Sequence, residues 1–193
     1  MSYRAGERSQ ADGEILSLSD KNLKVRGEIL KGMMDLRAND GNQAEISFKE
    51  GLSSSDEAIM MRAALGTIEV YLRIGKPDEA ISICNEVLGK AQIEKKRDSI
   101  LLLRGMSSRA LGRINEAALD FEEVVRHSQS PWRSEGLLLL AQTFWENNNY
   151  DRLTQEVSSK MKDLETQENS PELDYCILIV ADANFSLKHY REA

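Results

Sequence analysis

Apolar and small residues recur along this chain with a helical period, and the whole arrangement recurs at a longer one. Five polar hexamers punctuate it, "NDGNQA", "GKPDEA", "GRINEA", "NNYDRL" and "KHYREA", closing at Ala44, Ala80, Ala117, Leu153 and Ala193. The intervals between these closing residues are 36, 37, 36 and 40. Four residues after each come Phe48, Cys84, Phe121 and Val157, and eight after come Leu52, Leu88, Val125 and Met161. Spacings of four and eight fall on one stripe of a helix, so each hexamer opens an amphipathic helix. Twelve residues before the closing position stand Gly32, Gly105, Ala141 and Ala181, with Ile68 the exception. Five before it stand Asn39, Gly75, Gly112, Asn148 and Lys188. Glycine and asparagine tolerate the positive φ that ends a helix. The pattern therefore predicts helical hairpins: a first helix with a small residue, a tight corner, and a second helix whose stripe fills the seam.

Start signals agree. Ser130-Pro131 and Ser170-Pro171 each place a capping hydroxyl before a proline suited to a first helical turn, and Ser55 and Asp56 offer another entry. Residues 1–21 lack the pattern and read as a tail or an irregular cap. The chain stops at Ala193, where a fifth second helix is due to open, which reads as part of a longer protein or a last helix covered by another molecule.

The repeat resembles the tetratricopeptide repeat, a helix–turn–helix unit of about 34 residues. The segments "KGMMDLRANDGNQAEISFKEGL", "VYLRIGKPDEAISICNEVL" and "RGMSSRALGRINEAALDFEEVV" carry the likeness best. It covers residues 22–193, in units 22–54, 56–92, 94–129, 131–168 and 171–193, the last two more weakly. The resemblance implies an all-α fold, a right-handed α-solenoid of about five hairpins with the last incomplete. There are departures. The aromatic usual in the first helix survives only at Tyr71 and Phe144, replaced by Asp35, Ser108 and Asn184, and the intervals are longer than the family norm. Related helical-hairpin families with longer repeats are the alternative.

Composition narrows the function. A formal charge of -7 is the wrong sign for a protein that displaces counterions from a phosphate backbone, so nucleic acid is not expected. Cys84 and Cys176 match no zinc or redox spacing and read as two buried reduced thiols, which suits a cytoplasmic protein. The start, "MSYRAGERSQADGE", has no apolar core of a signal peptide, although a leader removed beforehand would leave no trace. No run of about 18 apolar residues predicts a membrane span.

In the family that the repeat resembles, the first helices line a concave groove. Counting back fifteen from the closing residues gives an aliphatic row, Ile29, Leu65, Leu102, Leu138 and Leu178. Eleven back lie Met33, Glu69, Met106, Gln142 and Asp182, and eight back Leu36, Leu72, Arg109, Trp145 and Phe185. Such a ladder suits an extended or helical peptide with hydrophobic anchors. The alternative is that the same row packs between repeats. The aliphatic row occupies the slots where lysines that clamp an acidic chaperone tail would be needed, so that use is not expected. Arg26, Arg62 and Arg109 remain as contacts for an acidic partner, or simply as solvated charges.

No catalytic constellation stands out. His127 and His189 are isolated, and there is no phosphate loop, nucleophile elbow or H-E-x-x-H. Asn184-Phe185-Ser186 forms a glycosylation sequon inside a predicted helix and reads as chance. The expectation is a non-catalytic protein-binding adaptor or scaffold without cofactor or metal. The alternatives are the recognition arm of an enzyme whose catalytic domain lies beyond residue 193, and a scaffold that self-assembles through its last repeat.

Overall fold

A tight corner is made four times in the same way. Asn39, Gly75, Gly112 and Asn148 take φ of 62°, 74°, 70° and 54°. One residue later, the N–H of Asp40, Lys76, Arg113 and Asn149 donates five residues back, to the carbonyls of Asp35, Tyr71, Ser108 and Phe144, at 2.8–2.9 Å. That pairing satisfies carbonyls left open at a helix end. Four residues further on, the N–H of Ala44, Ala80, Ala117 and Leu153 donates to the carbonyls of those same residues, Asp40, Lys76, Arg113 and Asn149, within the opening turn of the second helix. All four closing residues are fully buried.

The computed structural model describes residues 5–17, 20–90, 96–165 and 170–187, and among them the chain is helical with no strand. It divides into two units, Met1–Ile93 and Glu94–Ala193. The first holds α1 (Ala5–Ser17), α2 (Lys21–Arg37), α3 (Gly41–Leu52), α4 (Glu57–Arg73) and α5 (Pro77–Leu88). The second holds α6 (Arg97–Ala110), α7 (Ile114–Arg126), α8 (Arg133–Glu146), the short α9 (Tyr150–Arg152), a π turn (Leu153–Val157), α10 (Ser158–Glu165) and α11 (Pro171–Ser186). The expected fifth corner, with Lys188, His189 and Ala193, lies outside the described residues.

Inside each unit, helices adjacent in sequence pack as neighbours, and the small residues make this possible. A Cβ added at Gly32 of α2 would stand 2.9 Å from the Phe48 ring of α3, and one at Gly66 of α4 would also strike that ring. In the second unit a Cβ at Gly105 of α6 would stand 2.5 Å from Cε1 of Phe121 on α7. Real Cβ atoms do not approach so closely, so glycine is required for the rings to seat. Phe48 and Phe121 are fully buried, and truncating such a ring typically costs roughly 3–5 kcal/mol. Where the first helix carries Ile68 instead of a small residue, the matching position on the second helix carries the small Cys84, and both are fully buried. The Phe48 cluster of the first unit also takes in Val25, Ile29, Leu36, Ile59, Ala63 and Val70.

One expectation about helix starts changes, and the others agree with the structure. Of the two readings of residues 1–21, the described part is a helix: α1 packs on α2, with Ile15 against Gly27 and Asp12 accepting from the Lys31 ammonium at 2.6 Å. Asp56 caps α4 by accepting from the N–H groups of Ala58 and Ile59 at 2.9 and 3.2 Å. The Ser170 hydroxyl accepts from the Leu173 N–H at 3.4 Å, with Pro171 opening α11. Ser130-Pro131 does not open α8. Ser130 instead accepts from the Trp132 N–H at 3.2 Å, and the Trp132 carbonyl takes the first helical bond, from Gly136. The turn uses up the proline, and the helix starts at Arg133.

Candidate functional site

The residues expected to line a groove divide by burial. Ile29 is 2% exposed and Leu102 5%, so neither is a free anchor. Ile29 belongs to the Phe48 cluster and closes on Gly51, where an added Cβ would stand 3.2 Å from its Cδ1. Both residues are corrected to core positions: at those points on α2 and α6 the aliphatic row faces inward. Leu65 and Leu138 are half-buried, Met33 and Met106 are exposed, and Leu178 is 64% exposed. Glu69 is exposed on α4, where it pairs with Arg73 at 2.7 Å.

In the second unit the structure brings two of the expected residues into contact. Arg109 of α6 donates to the Gln142 side chain of α8 at 3.3 Å and lies 3.5 Å from Glu146. Trp145 rests against Tyr150, with ring centroids 5.0 Å apart at 49°. Leu178 and Asp182 share the outer face of α11 with exposed Tyr175, Ile177 and Phe185, while Leu173, Cys176, Val180 and Ala183 face inward. Asn184 of the sequon is buried, as its place in a helix implied.

The first unit contains a half-open cleft that combines an apolar floor with charge. Between the second and third turns of α2 and the first two turns of α4 lies a cleft of about 350 Å³, lined by Arg26, Ile29, Leu30, Ala58, Ile59 and Arg62. Its floor is apolar and its two charged groups are guanidiniums. Arg26 reaches the outer oxygen of Asp56 at a long 3.5 Å. The Ile59 N–H and, against some desolvation, the Ala58 N–H and Arg26 hold the Asp56 carboxyl below the usual carboxylate range. Sequence reading reached the two arginines singly and missed Leu30, Ala58 and Ile59. The usable signal was that Arg26 precedes Leu30, and Arg62 follows Ala58, by one helical turn.

A polar cluster in the second unit joins α7 to the π turn. Arg152 forms a two-pronged pair with Glu156, at 2.7 and 3.2 Å, and lies 4.4 Å over the Phe144 ring. That hydrogen bond dominates the lowering of Glu156, whereas burial, then the hydrogen bond with Glu156, raises Glu122. Lys160, 4.0 Å from Glu122, works against that rise. His127, isolated in the sequence, contacts Asp98 through Nδ1 at 2.7 Å. Cys84 and Cys176 are buried with neither in a disulfide, and burial, followed by Glu172, pushes the Cys176 thiol up to about 12. A thiol so raised is not a nucleophile at neutral pH.

Among the described residues no group of three or more His, Cys, Asp or Glu is placed to hold a metal, and no helix is long and apolar enough to cross a membrane. No family model matches the chain, and no curated protein or solved structure is significantly similar to it.

Proposed function

We propose that this chain is a tetratricopeptide-like array, its hairpins stacking into a right-handed solenoid, and that it works as a non-catalytic adaptor for a protein or peptide partner, in a cytoplasmic setting. The observation that carries the reading is the corner, built four times from the same backbone bonds and the same buried closing position. A hairpin of this kind is stable mainly against its neighbours, and tiling it generates surface contributed by several helices at once. The first helices α2 and α4 of the first unit supply an apolar cleft, and exposed Met33 on α2 and exposed Met106 on α6 supply adaptable contacts, each within its own unit. The buried thiols and the raised Cys176 favour a binding role over thiol chemistry.

The test is co-purification from the native source with mass spectrometry, followed by recapture of the identified partner with variants. Met33→Asp and Met106→Asp change exposed side chains, so helical circular dichroism and melting should stay close to the parent while capture falls. Capture that persists with both substitutions rejects the two methionines as contacts, and turnover of any substrate by the isolated chain rejects the adaptor reading.

A further inference from the structure

We infer that the α2–α4 cleft of the first unit receives an acidic aliphatic peptide segment, with a Leu, Ile or Val side chain on its floor and an Asp or Glu carboxylate between Arg26 and Arg62. The inference deepens the peptide-binding reading above and rests on it. Size comes first: about 350 Å³ lies at the small end of ligand clefts, which run roughly 300–1,000 Å³, and suits one or two side chains better than a large cofactor.

Chemistry comes second. Ile29, Leu30, Ala58 and Ile59 offer no polar side-chain group, so an aliphatic side chain gains by leaving water there. Leu30 is 57% exposed, an apolar side chain that such a guest would cover. The rim is cationic on both helices, and guanidinium groups bind carboxylates through paired hydrogen bonds.

Availability comes third. Among the described residues Arg62 is exposed and has no ion-pair or hydrogen-bond partner. Arg26 holds only the outer oxygen of Asp56, while the other oxygen caps α4 by accepting from Ala58 and Ile59. An arriving carboxylate can therefore take the Arg26 guanidinium without uncapping the helix. The net charge of -7 sharpens the selectivity: an acidic segment is disfavoured by the chain as a whole and attracted at a cleft lined by two arginines.

The experiment is selection of a random dodecapeptide phage library on the full chain. Each peptide is fused through its C-terminus to the coat protein, so no terminal carboxylate is offered. The expected consensus pairs Asp or Glu with Leu, Ile or Val one or two residues away. A synthetic amidated peptide of that consensus should bind about tenfold more weakly to Arg26→Ala and to Arg62→Ala, and more weakly at higher salt. Leu30→Gln should weaken it as well, and circular dichroism of each variant confirms folding. A consensus without acidic residues, or one whose affinity ignores both arginines, overturns the inference while leaving peptide binding standing. Failure to enrich any peptide overturns both.

Discussion

The α6–α7 hairpin and the hairpin that follows it share a corner and differ just beyond it. At the first, Ala117 closes the corner and α7 runs on as a regular helix to Arg126. At the second, Leu153 takes the alanine's place, and residues Leu153–Val157 widen into a π turn. The two hairpins also divide volume differently at their seam. Gly105 faces the full ring of Phe121 in one, while Ala141 and Val157 hold the matching positions in the other, all of them buried. The lesson is that the corner conserves backbone bonding, and side-chain volume is redistributed around it. The turn widens at the corner that carries a leucine where three other corners carry alanine.

The polar seams differ in parallel. Arg104 of α6 grips Asp120 of α7 through two bonds, at 2.9 and 2.6 Å, with Asp120 buried. Across the π turn the comparable grip stays within one helix, Arg152 on Glu156, and Glu122 of α7 is left leaning on Glu156.

The harshest way to break the comparison is Ala117→Glu. The site is fully buried where helices touch, and an unpaired charge there should cost more than about 4 kcal/mol and unfold the second unit. Thermal melting followed by circular dichroism reads this directly, and a variant that melts like its parent would remove Ala117 from the contact. Leu102→Asp belongs with it, since that side chain is core and should unfold the unit instead of merely blocking a partner.

Leu153→Ala is milder and more informative. Leucine truncations in cores cost roughly 2–5 kcal/mol, and the low end is expected because the π turn can close to regular α-helix around the smaller side chain. A crystal structure of the variant should show four-residue backbone spacing through 153–157. A π turn that survives the alanine would mean that side-chain size is not its cause.

The smallest effect belongs to Glu122→Gln. Burial raises the Glu122 pKa above its ordinary 4.5, so its favourable contribution is present below that pH and is lost as pH rises through the folded value. Glu156, lowered by Arg152, behaves oppositely and loses its contribution as pH falls through its folded value. Glutamine removes the neutral-pH penalty at 122 and keeps a hydrogen-bonding amide beside Glu156. Stability at pH 7 should rise slightly, by less than about 0.5 kcal/mol. A drop at pH 7 would show that the Lys160 contact outweighs the burial.

What could be read from the residues was whatever is encoded in residue type at fixed spacing. Asn39, Gly75, Gly112 and Asn148 mark the corners because a positive φ selects those side chains locally, and all four take it. The pairing of Gly32 with Phe48, and of Gly105 with Phe121, followed from one spacing rule. Helix α1 was legible only as one of two alternatives, a tail or a cap, because its contact depends on Gly27 and Lys31 of another helix rather than on a stripe of its own. The start of α8 was misread because a serine–proline pair serves a turn as readily as a helix entry.

The site was less legible than the fold. Counting residues placed Ile29 and Leu102 with exposed Leu178, yet exposure depends on which neighbouring helix covers each position. Arg26 and Arg62 stand 36 residues apart in sequence, and only the packing of α2 beside α4 makes them one rim.

The most direct measurement of the shared module is a double-mutant cycle on Gly105 and Phe121, read by urea unfolding of the full chain. Gly105→Ala drives a Cβ into the Phe121 ring and should cost roughly 1–3 kcal/mol. In a Phe121→Leu background the clash is relieved, so the two costs should fall short of adding by at least about 1 kcal/mol. Costs that add to within about 0.5 kcal/mol would mean that the glycine and the ring do not meet, and the repeated small-against-large seam would be contradicted.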